Sequence, residues 1–257
     1  MRLDRAIFLR GLAQSRSRAA LLISDNCVSV DGRIINKASF EVDETSNISV
    51  IDSISYVGRG GLKLEYALKT FAIDVKGKSA VDIGASTGGF TQCLLRYGAT
   101  SVAAVDVGHG QLHPDLMNDK RILLLENTNA KFLTSEMIGG KKDIAVSDVS
   151  FISQTEIHNA MFSCLNENGI AITLIKPQFE AGAKYLNKKG VIKDKKVFLN
   201  VFERIENSAN ANSFEISDMC ISPILGGDGN IEFLALFKKG SKRFDFTPIY
   251  NSVLKGD

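Results

Sequence analysis

Short apolar runs alternate with amphipathic stretches over most of the chain beyond residue 60. The runs are four to seven residues long and rich in valine, isoleucine, leucine and alanine, which is typical of strands buried in a parallel sheet. Helical spacing of apolar residues characterises the stretches between them. We therefore predict strands at residues 79–83, 101–107, 122–125, 144–148, 169–175, 214–219 and 231–237, and helices at residues 62–71, 88–97, 154–165 and 197–209.

The order of these elements predicts the fold class. Repeated alternation of strand and helix favours an α/β fold, with a largely parallel sheet covered by helices on both faces. A turn-rich segment, residues 222–230, separates the last two predicted strands. We expect this pair to add antiparallel at the sheet edge.

Residues 1–58 have a different pattern and are predicted to form a small α+β module, followed by a second domain at residues 59–257. Apolar residues at helical spacing predict a first helix that ends near Gly11 and Gln14. Ser15 is a suitable N-cap for a second helix at residues 16–23. Asp31 and Gly32, between short alternating runs, predict a β-hairpin.

Composition adds limits on the class of protein. With 44% apolar and 23% charged residues, the 257-residue chain has enough apolar sequence for a core without disulfides. The four cysteines lie far apart, which favours neither a disulfide framework nor a zinc site. No apolar run approaches the roughly 18 residues that span a bilayer, and the first residues are charged. We expect a cytoplasmic protein.

Positive charge is unevenly distributed although the net charge is only +2. Residues 1–40 contain seven basic and three acidic side chains, and six lysines lie between residues 184 and 196. Each cluster is interpreted either as a site for a polyanion or as an ordinary solvated surface. The candidate RNA contacts are Arg5, Arg10, Arg16, Arg18, Arg59, Lys188 and Lys189.

A glycine-rich segment follows the first strand of the second domain, at residues 82–90. Its glycines allow the backbone to approach a ligand and turn into a helix, but their spacing differs from the G-x-G-x-x-G dinucleotide motif. Asp106, about twenty residues further on, stands where an acid hydrogen-bonds a ribose. Asp82 within the loop suits a cationic ligand. S-adenosylmethionine combines a ribose with a sulfonium and an ammonium, whereas the alternative is an ordinary tight turn.

Lys176 ends the apolar run of residues 169–175, and ligands of open α/β sheets bind at such strand ends. A partly desolvated lysine there is a candidate general base, and a solvated strand-end lysine is the alternative. His109 and His113 are four residues apart, but Gly110 and Pro114 favour a loop, so we expect no metal site.

Residues 1–58 resemble the S4 domain, an RNA-binding module. The matching segments are Arg2-Leu3-Asp4, Ser17-Arg18-Ala19-Ala20-Leu21-Leu22-Ile23 and Val28-Ser29-Val30-Asp31-Gly32, with Lys37. Asn26 replaces the usual glycine, and asparagine is the next best residue for a left-handed turn. S4 domains bind RNA largely through its shape and phosphates.

The remainder resembles class I methyltransferases of the FtsJ type, and more narrowly the TlyA family, also called the haemolysin A family. The resemblance rests on Tyr56-Val-Gly-Arg-Gly-Gly-Leu-Lys63, Asp82-Ile-Gly-Ala-Ser-Thr-Gly-Gly-Phe-Thr91, Ser147-Asp148-Val-Ser-Phe-Ile-Ser153, Lys176-Pro-Gln-Phe-Glu180 and Gly229-Asn-Ile-Glu232, and covers nearly the whole chain. FtsJ-type enzymes usually have proline where this chain has Thr87.

This resemblance implies an S-adenosylmethionine-dependent 2′-O-methyltransferase that acts on a cytidine of ribosomal RNA. Its catalytic tetrad falls on Lys63, Asp148, Lys176 and Glu232, with Lys176 as the base, Lys63 as a neighbouring cation and the two acids balancing charge. The residues expected to bind S-adenosylmethionine are Asp82, Gly84, Ser86, Gly88 and Asp106.

The resemblance also bears on the target and on rival functions. Some family members modify both subunits and carry extra residues before the first S4 helix, where this chain begins, so large-subunit rRNA is the expected target. We expect a monomer that binds rRNA or a ribosomal subunit and no membrane. The alternatives are a non-catalytic RNA-binding assembly factor and a membrane-lytic haemolysin, which the family's older name suggests.

Overall fold

The computed structural model describes residues 1–13, 15–24, 27–50, 56–240, 242 and 244–255. The chain forms two compact units, one of Met1–Ser55 and Ile224–Gly229 and the other of Tyr56–Pro223 and Asn230–Asp257. The domain boundary predicted after residue 58 stays a prediction. Gln14 and Asn26 lie outside the described residues, so the end of the first helix at Gln14 and the left-handed turn at Asn26 also stay predictions.

The N-terminal unit is a pair of helices with a small antiparallel sheet. Its elements are α1 (Leu3–Leu9), α2 (Arg16–Ser24), β1 (Val28–Val30), β2 (Arg33–Ile34) and β3 (Ile48–Val50), with the strands in the order β2-β1-β3. The Ser15 hydroxyl accepts a hydrogen bond from the Arg18 amide at 3.1 Å, which confirms the predicted N-cap. Asp31 and Gly32 both have positive φ, at 52° and 78°, as a two-residue hairpin turn requires.

A seven-stranded sheet forms the centre of the second unit. Its strands are β4 (Ser79–Ile83), β5 (Ser101–Val105), β6 (Ile122–Leu125), β7 (Lys142–Ser147), β8 (Leu165–Ile175), β9 (Glu215–Ile221) and β10 (Phe233–Lys238). They lie in the order β6-β5-β4-β7-β8-β10-β9. The first five are parallel neighbours, and β10 is antiparallel to both β8 and β9, as predicted.

Helices cover both faces of this sheet. They are α3 (Gly60–Thr70), α4 (Gly89–Arg96), α5 (Pro114–Met117), α6 (His158–Ser163), α7 (Pro177–Glu180), α8 (Val197–Asn210) and α9 (Thr247–Lys255). Val81 and Ile83 of β4 pack in a core with residues of α6 and α8, whereas Ala80 packs in a second core with residues of α3 and α4. This alternation confirms the predicted α/β class with two covered faces. No helix among the described residues is long and apolar enough to cross a membrane.

Several predicted elements were wrong in extent, among them the strand predicted to begin at residue 169, which begins at Leu165. The single helix predicted at residues 154–165 is a 3₁₀ turn at Gln154–Glu156 followed by α6, because Leu165 already pairs with Lys142 in the sheet. The strand predicted to reach residue 107 ends at Val105. Helix α9 was not predicted, yet its Ile249 and Val253 are buried in the core.

Candidate active site

A cavity of about 500 Å³ opens at the carboxyl ends of β4, β5 and β7, within the size range of small-ligand sites. Apolar side chains form part of its wall, and several polar groups converge on it. The lining residues are Ile83, Gly84, Ser86, Val105, Asp106, Val107, Gln111, Thr128, Asn129, Ala130, Asp148, Val149, Ser150, Phe151, Ile152 and Ile157. The sequence predicted Gly84, Ser86, Asp106 and Asp148 at this site.

Asp106 directly follows β5 and is fixed by the backbone on either side of the cavity mouth. Its Oδ2 accepts a hydrogen bond from the Ser86 amide at 2.7 Å, and its Oδ1 accepts one from the Gly108 amide at 2.7 Å. Each carboxylate oxygen can accept a further hydrogen bond. Both carboxylate oxygens are therefore held in place, and the predicted contact of Asp106 with a ribose stays a prediction.

Glycines shape the loop for different reasons. Gly84 has a φ of +84°, and a Cβ there would lie 2.9 Å from the Asp148 carbonyl oxygen, so a side chain would separate β4 from the end of β7. Gly88 has a φ of +93°, and its Cβ would meet Leu116 and Leu112 at 2.4 and 2.8 Å. Gly88 does not line the cavity, so the structure gives it a packing function and its predicted contact with a cofactor stays a prediction.

Asp82 lies behind the loop, fully buried, and does not line the cavity. Its Oδ2 accepts a hydrogen bond from the Thr91 hydroxyl at 2.7 Å, while no partner for its Oδ1 exists among the described residues. Burial raises the pKa of Asp82 to about 7, and the negative charges of Asp148 and Asp106 add to the shift. The predicted contact between Asp82 and a cationic ligand stays a prediction.

The four predicted catalytic residues form two ion pairs. Lys63 Nζ lies 2.5 Å from Glu232 Oε2, with both side chains buried. Lys176 Nζ lies 2.6 Å from Asp148 Oδ1 and donates a hydrogen bond to the Ser150 hydroxyl at 2.7 Å. Each lysine therefore has its own carboxylate, and Lys63 is balanced by Glu232 rather than acting as a free cation on Lys176.

Helix α3 brings the buried pair to the same end of the sheet as the cavity. A Cβ on Gly60, in the first turn of α3, would lie 3.6 Å from Asp148 Oδ2, so the helix begins beside the Lys176–Asp148 pair. Lys63 stands one turn further along α3, and Glu232 immediately precedes β10, the neighbour of β8. The tetrad thus combines residues separated by as many as 169 positions in the chain.

Sequence reasoning missed two cavity-lining residues, one of which contacts the proposed base Lys176. Ser150 lines the cavity and contacts Lys176. Phe151 has a φ of +63° and is 90% exposed, with its ring centroid 5.0 Å from that of Phe179. The sequence signals for these residues were their position just after Asp148 at a strand end and their place in the motif of residues 147–153.

The arginines proposed to bind RNA differ in their environments within the N-terminal unit. Arg10 donates to the carbonyl oxygens of residues 43, 44 and 46, and Arg16 pairs with the buried Asp4 at 2.8 Å. Both guanidinium groups therefore stabilise the unit itself. Arg5 is exposed and Arg18 is partly buried. Phosphate contacts by all four arginines stay predictions.

The candidate RNA contacts of the second unit include a pair of lysines at the tip of a tight turn. Lys188 and Lys189 are exposed, and the turn is closed by Asn187, whose Oδ1 accepts hydrogen bonds from the amides of Lys189 and Val191 at 2.7 and 3.0 Å. Arg59 is partly buried immediately before α3. These contacts with RNA also stay predictions.

The two histidines considered as metal ligands have other partners. His109 Nδ1 lies 2.8 Å from Glu126 Oε2, and His113 Nδ1 accepts the Asp115 amide at the start of α5. Among the described residues, no group of three or more histidine, cysteine or acidic side chains has the arrangement of a metal site.

Similar proteins share this architecture over nearly the whole chain. Hemolysin A of Brachyspira hyodysenteriae is 44% identical over 242 residues, covering 92% of this chain and 99% of that protein. The 16S/23S rRNA (cytidine-2′-O)-methyltransferase TlyA of Mycobacterium tuberculosis is 38% identical, covering 94% of this chain and 91% of that protein. A Streptococcus thermophilus structure, described provisionally as a hemolysin, has 35% identity and a TM-score of 0.75 and covers 99% of this chain and 94% of its own.

The sheet order and the match to the FtsJ-like family define a class I methyltransferase that uses S-adenosylmethionine. The model of the FtsJ-like methyltransferase family matches residues 56–239, and that of the S4 domain matches residues 1–48. The chain belongs to the TlyA family, in which an S4 domain precedes an FtsJ-like methyltransferase domain. The resemblance found in the sequence motifs is thereby confirmed.

Proposed function

We propose that this protein methylates the 2′-hydroxyl of a cytidine in ribosomal RNA, with Lys63, Asp148, Lys176 and Glu232 as its catalytic tetrad. The observation that carries the proposal is the Lys176–Asp148 ion pair at the cavity wall. Asp148 lines the cavity, and Lys176 Nζ lies 2.6 Å from Asp148 Oδ1. The proposed base therefore adjoins the space proposed for the methyl donor. A non-catalytic assembly factor would not need two lysine–carboxylate pairs in this position.

The residues of the cavity support S-adenosylmethionine as the methyl donor. When bound, this cofactor supplies an electrophilic methyl group on its sulfonium. Asp106 is the proposed ribose ligand, because both of its oxygens are held in place and each has capacity for one more hydrogen bond. Ser86 and Gly84 form the adjoining wall, and apolar side chains line much of the remaining wall.

Lys176 is the proposed general base. In its neutral form, the Lys176 amine would accept the proton of the 2′-hydroxyl. The new oxygen–methyl bond would form as the methyl–sulfur bond of a bound donor breaks, with the donor leaving as a neutral thioether. Asp148 stabilises the ammonium that forms, and the hydroxyl of Ser150 holds Nζ in position. The Lys63–Glu232 pair is almost fully buried and fixes the start of α3 beside Asp148.

Ribosomal RNA as the substrate rests on the S4 domain and on the relatives. The matched S4 model covers residues 1–48, and the mycobacterial relative is named for cytidine 2′-O-methylation of 16S and 23S rRNA. Exposed Arg5, Lys188 and Lys189 are the proposed phosphate contacts. We further propose that the protein acts as a monomer in the cytoplasm, where its substrate is found.

Mass spectrometry of methylated nucleosides tests this function. The full chain is incubated with S-adenosylmethionine and either 16S or 23S rRNA, and the RNA is then digested to nucleosides. We expect 2′-O-methylcytidine in at least one RNA and none with the Lys176→Ala variant. A synthetic target with 2′-deoxycytidine at the modified position should receive no methyl group. Methylation of a base, or of the deoxy target, would contradict the proposal.

A further inference from the structure

Glu180 is a buried carboxylate outside the tetrad, and its hydrogen bonds converge on the segment that follows Asp148. Only 4% of the residue is exposed. Its Oε1 accepts a hydrogen bond from the Gln154 amide at 2.7 Å, and its Oε2 accepts one from the Ser153 hydroxyl at 2.6 Å. Arg204 of α8 donates to the same Oε2 and supplies the opposite charge. A buried carboxylate is tolerated when it is paired and hydrogen-bonded in this way.

These bonds connect the segments that leave two adjacent strands. Lys176 follows β8 directly, and Glu180 ends α7, the short helix that begins at the next residue. Asp148 follows β7, and Ser153 and Gln154 lie five and six residues beyond it. The Glu180 carboxylate therefore ties the segment that follows Lys176 to the segment that follows Asp148.

The segment of residues 148–154 contains groups that line the cavity or contact Lys176. Its first residue is fixed by the Asp148 amide, which donates to the Ile83 carbonyl at 3.0 Å. Its middle contains Ser150, bonded to Lys176 Nζ, and Phe151, whose φ of +63° is a strained value for a residue other than glycine. A strained backbone conformation persists when the surrounding structure constrains it. The hydrogen bond of the Asp148 amide constrains the start of this segment, and Glu180 constrains its end.

We propose that Glu180, held by Arg204, is a positioning residue that fixes Ser150 and hence the amine of Lys176 for proton transfer. The inference rests on the proposed function of Lys176 as the base. Glu180 itself lies outside the cavity lining, so its loss should lower kcat by a larger factor than it raises the Kd for S-adenosylmethionine.

The test compares Glu180→Gln with Glu156→Gln. Glu156 lies on the same 3₁₀ turn as Gln154, but its carboxylate is half exposed and pairs with Lys131. We expect Glu180→Gln to lower kcat on the order of 10- to 100-fold, because small displacements of catalytic groups have effects of this size. The KM for rRNA and the Kd for S-adenosylmethionine should stay within threefold, and Glu156→Gln should retain wild-type kcat.

A second variant and a double variant separate positioning from general destabilisation. Arg204→Gln changes a half-exposed side chain and should lower kcat in the same direction while the protein remains folded, as judged by Tm. Glu180 is proposed to act through Ser150. The double variant Glu180→Gln with Ser150→Ala should therefore have the same kcat as whichever single variant has the lower kcat. Independent sites would instead give the product of the two reductions.

The outcomes distinguish this inference from the proposed function. If the wild-type chain transfers no methyl group to rRNA cytidine, the proposed function is wrong. Wild-type activity with an unchanged kcat in both Glu180→Gln and Arg204→Gln would overturn only the positioning role. Parallel losses in kcat, cofactor affinity and Tm, or multiplicative effects with Ser150→Ala, would overturn it as well, because they indicate a general structural role.

Discussion

Lys176 Nζ lies 2.6 Å from Asp148 Oδ1, and this contact joins the ends of two adjacent parallel strands, β7 and β8. Asp148 also lines the cavity, so the pair connects the proposed methyl-donor site to the proposed base. The second pair, Lys63 with Glu232, is buried and stands beside it at the same end of the sheet. Geometry of this kind supports proton removal next to a bound cofactor.

Replacing Lys176 by alanine should abolish methyl transfer while the affinity for S-adenosylmethionine stays within a few-fold. The side chain is the proposed base, yet it does not line the cavity. Calorimetric binding and tritium transfer on the same preparation measure the two properties. Lys69→Ala is a matched control, because Lys69 forms an exposed pair with Glu65 on α3. Substantial turnover by the Lys176 variant would assign the base to another residue.

Replacing Asp106 by alanine should weaken binding of S-adenosylmethionine. Loss of a hydrogen bond that involves a charged group costs roughly 1.5–3 kcal/mol, or about a 10- to 150-fold higher Kd. Asp106→Asn keeps the shape of the side chain and should have a smaller effect. Isothermal titration of both variants provides the comparison, and an unchanged Kd for the alanine variant would remove Asp106 from the cofactor site.

Asp82 should make the stability of the second unit depend on pH. Burial raises its pKa from 3.8 to about 7, so the folded state binds more protons than the unfolded state between these values. Stability therefore falls as pH rises through this window. Asp82→Asn cannot titrate, so its unfolding free energy should decrease less than that of the wild type from pH 5 to pH 8. Urea titrations at several pH values measure the free energy of unfolding. The same dependence of that free energy on pH in the wild type and in Asp82→Asn would contradict the prediction.

Arg5 should contribute to RNA binding without contributing to stability. Its side chain is exposed, whereas Arg10 holds three backbone carbonyls and Arg16 pairs with Asp4. Arg5→Ala should raise the Kd for rRNA at unchanged Tm, while Arg10→Ala and Arg16→Ala should lower Tm. Filter binding and thermal unfolding measure these effects. An unchanged Kd for Arg5→Ala would show that this residue does not contact RNA.

Lys188 and Lys189 should contribute phosphate contacts from the second unit. Replacing both by alanine should weaken rRNA binding and reduce the slope of log Kd against log salt by about 1–2, since each phosphate contact contributes roughly 0.7–0.9. The control is Lys76→Ala with Lys78→Ala, two exposed lysines that precede β4 at the amino ends of the parallel strands. Equal salt slopes in the two double variants would contradict the prediction.

Local sequence patterns predicted the parts of the fold that local interactions govern. The strand at Ser79–Ile83 was predicted to the residue because a β-branched, apolar run is bounded by polar residues and a glycine turn. The helix predicted at residues 154–165 failed because pairing of Leu165 with β7 shortens it. That pairing depends on a strand more than twenty residues away, and no local pattern encodes it.

The sequence by itself determined the α/β class and the hairpin at Asp31 and Gly32. It also predicted the glycine loop with Asp106 and, through the family resemblance, the four residues of the proposed tetrad. Only the tertiary structure decided which lysine pairs with which carboxylate, that Asp82 lies behind the cavity, and that Glu180 bonds to Ser153 and Gln154. The physical reason is the range of the forces. Propensity and periodicity act between near neighbours in the chain, whereas the partner and burial of a charge depend on distances that exist only after the sheet has assembled.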